Sequence, residues 1–138
     1  MDRTGMSDAR GLVARAGLRP TRQRIELAGV LFANGPRHLT AEALHAEAAR
    51  AGVRVSLATV YNTLNAFIEA GLVRQVAVDG SRVYFDTNVD AHHHFFDEDT
   101  GVLEDIPADQ VAVAALPSPP AGAEITRVDV VVRVKRRR

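Results

Sequence analysis

An α+β chain, with an N-terminal winged helix-turn-helix followed by a small α/β dimerisation domain, is the fold class that three observations predict. Three short helices with apolar stripes, each opened by a capping hydroxyl, follow one another from Thr21. An Asp79-Gly80 pair then separates two β-rich runs. The remainder reads as strand, strand, helix and strand, and a unit of about 50 residues buries too little core to stand alone. The expected boundaries are 1–85 and 86–138, with the second domain burying its sheet against a twofold-related copy.

Each element has a physical reason. Thr21 can accept a free amide of a first turn, and Ile25, Ala28, Leu31 and Phe32 recur at helical spacing until Asn34-Gly35-Pro36 stops them. Thr40 caps the next helix, with Glu42 near its positive end. Leu44, Ala48 and Ala51 share a face there, and Gly52 closes it. Ser56 caps the third helix. Leu57, Val60, Tyr61, Leu64, Phe67 and Ile68 form its stripe, Thr59, Asn62 and Asn65 fall outside it, and Gly71 ends it. The runs 72–78 and 81–85 around Asp79-Gly80 predict a hairpin. A two-residue turn with positive φ at both residues sets Val76 opposite Val83. Beyond it, Phe95-Phe96 begins a strand, Gly101 to Ile106 gives a turn and a strand, and Asp109 to Leu116 reads as a helix. Pro117-Ser118-Pro119-Pro120 forces a loop. Ile125 to Val134 reads as a strand, and Lys135 to Arg138 as a frayed basic tail.

Composition narrows the function classes. Cysteine is absent from the 138 residues, which excludes disulfides, thiolate metal sites and cysteine nucleophiles. No apolar run approaches a membrane span, and no leader-like segment opens the chain, so a cytoplasmic protein without membrane contact is expected. The net charge is zero but unevenly spread: residues 1–88 hold 11 arginines against 8 acids, and residues 89–138 hold 6 basic against 9 acidic groups. The first half suits phosphate and the second suits a cation. No glycine-rich phosphate loop, HExxH or nucleophile elbow is present, so an enzyme is not expected.

Two sets of residues carry chemistry. The outward face of the third helix, Ser56, Ala58, Thr59, Asn62 and Asn65, is small and polar, as a helix entering the major groove requires. Arg19, Arg22 and Arg24, with Thr21 among them, flank the first helix and suit phosphates. In the run His92-His93-His94, alternate side chains of an extended segment share a face, so His92 and His94 can meet one ion while His93 points away. Asp86, Asp90, Asp97 and Asp105 supply oxygens nearby, and His38 stands before the second helix. Imidazole and carboxylate without sulfur suit Fe(II), Mn(II) or Zn(II). A polar loop with an accidental histidine run is the bland alternative. His45 reads as an ordinary boundary histidine and Asp97-Glu98-Asp99 as a solvated turn. The rival functions are a metal-dependent hydrolase built on the His/Asp cluster and a metal-blind winged-helix regulator.

The segments Ala16 to Arg24, Arg37 to Glu42 and Ser56-Leu57-Ala58-Thr59-Val60-Tyr61-Asn62-Thr63-Leu64 resemble the ferric uptake regulator family. Val78 to Asn88 with the histidine triplet is similar to its iron response regulator branch. The resemblance implies an iron- or haem-responsive transcription regulator, a repressor, that binds AT-rich, partly palindromic operator DNA as a homodimer. It implies that Arg19 enters the minor groove and that Tyr61 meets a thymine or the backbone beside it. Asn62 stands where many relatives carry Arg. The family's hinge site matches His38, Asp86, His92, His94 and Asp105, with Asp where many relatives have Glu. The branch links the triplet His92, His93 and His94 to haem. Asp97 and Thr100 hold the place of a CxxC pair, so no structural cysteine zinc site is expected. Ala112 and Val128 stand where relatives carry a second metal site, which is therefore expected to be missing and leaves His93 without its usual co-ligands.

Overall fold

The computed structural model describes residues 3–80 and 82–137, with side chains from Asp8 onward. It is α+β and divides into two compact units, Met1–Val89 and Asp90–Arg138. The division falls later than the expected 85/86 because Thr87 belongs with the first unit. Its amide and hydroxyl bond the Arg37 carbonyl, and its hydroxyl accepts from the Arg37 amide at 2.9 Å.

The first unit runs α1 (Arg3–Arg15), α2 (Arg22–Leu31), β1 (His38–Leu39), α3 (Ala41–Arg50), α4 (Leu57–Glu69), β2 (Arg74–Ala77) and β3 (Val83–Asp86). The three expected helices are α2, α3 and α4. Thr21, Thr40 and Ser56 cap them, each accepting from the amide three residues on. The Thr40→Ala variant should lose about 1 kcal/mol of stability, read as a lower urea midpoint with an unchanged slope. Helix α1 was not expected. Gly5 and Gly11 dilute its helical pattern, and its place is set instead by Ala9 and Val13, buried in the same core as Leu27, Leu31, Leu64 and Phe67. The rings of Phe32 and Phe67 lie 6.2 Å apart in a tilted pair.

The wing is a three-stranded antiparallel sheet of order β1-β3-β2. Its register departs from expectation: Val83 pairs with Ala77, and Val76 with Tyr84. The connection is one residue longer than a two-residue turn, closed by the Val78 amide on the Arg82 carbonyl at 3.3 Å. Gly80 takes no positive φ. The Asp79 carboxylate instead accepts from the Arg82 amide at 3.0 Å. A slip of one residue reverses which side chains share a face. Its consequence is that Arg74, rather than Val73, stands beside Asp86.

The second unit holds β4 (His92–Asp97), β5 (Leu103–Pro107), a single 3-10 turn (Ala108–Gln110) and β6 (Val131–Val134). The sheet order is β5-β4-β6, with β4 antiparallel to β5 and parallel to β6. Strand β4 takes in the whole histidine triplet, beginning before the expected Phe95. The helix expected over 109–116 is absent beyond that turn. Val113 and Leu116 are exposed, so an apolar stripe there has no face to bury. The strand expected from Ile125 is confined to Val131–Val134, the part that pairs with β4.

The acidic turn is solvated at Glu98 and Asp99 but not at Asp97, and the basic tail is tied at Arg136, while Arg138 lies outside the described residues. Asp97 is buried, and its Oδ1 accepts from the amides of Asp99 and Thr100 at 2.9 and 3.1 Å. The Gly101 amide returns to the Asp97 carbonyl at 2.8 Å, and Gly101 takes a φ of 75°, which a Cβ would strain. This turn holds the end of β6 and Arg136. The Glu98 amide donates to the Val134 carbonyl, the Arg136 amide to Asp99 Oδ2, and Arg136 Nε lies 2.8 Å from Asp97 Oδ2.

Candidate metal centre and nucleic-acid face

Strand alternation builds the histidine site. His92 and His94 are buried on one face of β4, and the register sets His94 opposite Asp105 of β5. The Nε2 atoms of His92 and His94 each lie 3.4 Å from Asp105 Oδ1, and one donor atom from each of the three residues falls within 4.8 Å of the others. The two rings meet edge to face at 4.5 Å between centroids. His92 Nδ1 lies 2.6 Å from the Asp90 carbonyl. A carbonyl only accepts, so Nδ1 carries the proton and the lone pair sits on Nε2, toward Asp105. Two imidazoles and a carboxylate converging in this way fit a divalent first-row ion.

His93 points the other way and has another task. Its Nδ1 accepts from the Val130 amide at 3.1 Å, so Nε2 holds the proton of the neutral ring. The residue ties the entry of β6 to β4. His45 is also engaged, through Nε2 on the Val55 carbonyl at 2.9 Å. Of the other nearby acids, Asp97 is committed to the turn described above.

His38 and Asp86 belong to the first unit. There the sheet forms a row: His38 of β1 opposite Asp86 of β3, and Asp86 opposite Arg74 of β2. Cross-strand partners share a face. Asp86 and Arg74 are both buried, and Asp86 Oδ1 accepts from the Asn88 amide at 2.9 Å. Arg74 went unnoticed in the sequence because the assumed two-residue turn gave the wrong partner.

On α4, Ser56, Ala58, Asn62 and Asn65 are exposed and Thr59 is half-buried. Ser56 Oγ accepts from the Thr59 amide and donates to the Thr59 hydroxyl, both at 3.0 Å. Tyr61 was counted in the apolar stripe, but it is 38% exposed and donates to Glu42 Oε1 of α3 at 2.7 Å. Thr63 is buried in its place. An open groove of about 370 Å³ brings Arg19, Thr21 and Arg24 together with Thr59 and Asn62. Arg24 Nη1 donates to the Arg19 carbonyl at 3.0 Å, and Arg22 Nε pairs along α2 with Glu26 at 2.7 Å.

A winged helix with a polar, exposed face on its last helix is an architecture suited to reading a DNA groove. Comparison with known proteins names the kind. The model of the ferric uptake regulator family matches residues 15–132. The ferric uptake regulation protein of Shigella flexneri is 32% identical over 107 residues, which cover 77% of this chain and 72% of that protein. That of Pseudomonas aeruginosa is 38% identical over 88 residues, 63% of this chain and 66% of that protein. The structure of the Pseudomonas aeruginosa ferric uptake regulator with manganese superposes with a TM-score of 0.71 at 29% identity, covering 93% of this chain and 97% of that one. The chain belongs to the ferric uptake regulator family, whose members are metal-dependent transcription regulators and not enzymes. The hydrolase alternative is thereby set aside. Among the described residues no helix is long and apolar enough to cross a membrane.

Proposed function

We propose that this chain is a cytoplasmic, metal-dependent repressor that binds AT-rich operator DNA as a homodimer. One divalent ion, iron(II), manganese(II) or zinc(II), is held by His92, His94 and Asp105 together with Asp86 and His38. The observation that carries the reading is the convergence of two buried Nε2 atoms on Asp105, each at 3.4 Å. Asp86 ends β3 only six positions before His92, so the chain itself keeps the two sets of donors on a short tether. His38 is its cross-strand neighbour. The manganese in the Pseudomonas aeruginosa relative supports the same class of ion.

The ion supplies a positive charge that five donors from two units share. The protein's own residues do the rest. His38 and Asp86 sit on the wing sheet, so holding them against the triplet restricts the winged helix relative to the second unit. In a dimer that restriction sets the spacing of two α4 helices, which must match half-sites about one DNA turn apart. Exposed Phe95, Val132 and Val134 on the second sheet supply the apolar surface for pairing. Ser56, Ala58, Thr59, Tyr61 and Asn62 face bases, while Arg19, Thr21, Arg22 and Arg24 hold the backbone and minor groove. His92 and His94 are also the histidines through which haem would act, in competition with the ion. His93 is occupied by Val130.

The test is selection of duplexes from a random pool, followed by titration with Mn(II), Fe(II), Zn(II) and haem, each alone and in pairs. A selected AT-rich site whose affinity rises with the ion, falls with haem and weakens steeply with salt is the expected result. Unchanged affinity across all four additions leaves only the metal-blind regulator.

A further inference from the structure

We infer that Glu42 is a positioning residue for DNA recognition: by accepting the hydrogen bond of the Tyr61 hydroxyl it decides which chemical groups that side chain reads. The inference rests on the reading of α4 as the DNA-facing helix and goes beyond it. A phenol has one proton to give. Here it is directed to Glu42 Oε1 at 2.7 Å, from a ring that is 38% exposed beside Asn62. Toward DNA, Tyr61 is left with its ring and its acceptor lone pairs. Phosphate oxygens, guanine O6 and N7, and thymine O4 are all acceptors and need a donor that Tyr61 no longer has. Amino groups and the thymine methyl do not. The clamped Tyr61 therefore selects a methyl or an amino edge in the major groove, and a backbone contact is disfavoured.

The geometry gives further reasons for a durable clamp. Glu42 sits in the first turn of α3 and Tyr61 one turn into α4, both on capped helices that pack in one core. The hydrogen bond holds the Glu42 carboxyl below its ordinary range and pushes the Tyr61 phenol above its own. Both directions agree with a neutral donor on an ionised acceptor. The carboxylate is also an exposed negative charge one hydrogen bond away from the proposed DNA-facing helix. Its negative charge should weaken DNA binding if it did nothing else, and that gives the experiment a sign.

The test uses the full-length protein with Mn(II) and the duplex that wild type selects from a random pool. Dissociation constants are measured for wild type, E42A, E42Q, Y61F, Y61A and E42A/Y61F. A second copy of the duplex carries deoxyuridine for thymidine. The expected result is that E42A and Y61F each weaken binding about fivefold to tenfold, and that the double variant is no weaker than either single one. E42Q should recover to within about threefold of wild type, because its amide oxygen still accepts the phenol proton. Wild type should lose affinity on the deoxyuridine duplex, and E42A should lose less. Tighter binding by E42A to every duplex would make Glu42 a repelling charge only and overturn the inference. Additive losses, or an E42Q as weak as E42A, would overturn it too. Wild-type affinity in Y61A would instead remove Tyr61 from the DNA face and leave the family assignment intact. A wild type that selects no sequence would defeat the DNA reading itself.

Discussion

The His94→Ala protein is expected to bind Mn(II) at least about 100-fold more weakly than wild type and to lose the metal response of its DNA binding. Loss of an outer-shell partner alone costs about 10- to 100-fold, and His94 is proposed as a direct ligand. Three features make it the residue to test. It is the most buried of the triplet, its Nε2 approaches Asp105 Oδ1 at 3.4 Å, and β4 and β5 set it directly opposite Asp105. Loss of its imidazole leaves His92 and Asp105 as the second unit's remaining proposed donors. The comparison that gives the result meaning is His93→Ala, one position along the same strand. His93 gives its Nδ1 to the Val130 amide, so its loss should spare the Mn(II) constant and lower the melting temperature. Isothermal titration with Mn(II) and thermal unfolding, run on both variants, separate the two roles. Equal Mn(II) constants for H94A and wild type would remove the triplet from the proposed centre.

That contrast was half legible in the sequence. Period-two alternation is a property of any extended segment, so the separation of His92 and His94 from His93 follows from sequence once a strand is assumed. What His93 meets does not follow, because Val130 lies 37 positions away and is brought there by a parallel strand. Asp105 stood in the sequence as one of four nearby acids, and only the family resemblance set it apart; the pairing of β4 with β5 is what places it opposite His94. The wing shows how fragile such patterns are. Asp79-Gly80 signals a hairpin correctly, yet one extra residue in the connection moves Arg74 into the place beside Asp86. Tyr61 was misplaced because helical periodicity does not distinguish a tyrosine in the core from one at its rim with its hydroxyl on another helix. The helix expected over 109–116 failed for want of anything to cover Val113 and Leu116, which helical spacing cannot report.

Asp97 is where the sequence reading was furthest from the structure, and its replacement should cost the second unit most. Relatives are expected to carry sulfur at this turn. Here the Asp97 carboxylate takes two amides of its own turn, while the turn takes Val134 and Arg136 of the last strand. Burial alone would push the Asp97 carboxyl up. The Thr100 and Asp99 amides and the Arg136 guanidinium outweigh it, and the group is held below the ordinary aspartate range. A carboxyl whose folded value is depressed adds stability that is fully present above its unfolded value and is lost as the pH falls through its folded one. Wild type should therefore loosen at β6 on acidification within that low window, and Asp97→Asn should show little such loss. The two parts of the interaction separate by substitution. Asn keeps an oxygen for the amides and loses the charge facing Arg136, whose own side chain is largely exposed and screened. Ala loses both and leaves amides of a buried turn without a partner, the more expensive defect. The order of melting temperatures should be wild type, then Asp97→Asn by a small step, then Asp97→Ala by a large one. Trypsin should cut after Arg133 or Lys135 far sooner in Asp97→Ala than in wild type, since β6 is held to β4 along only four residues. If Asp97→Ala melts with wild type and resists cleavage equally, the turn does not hold the last strand, and β4 alone must.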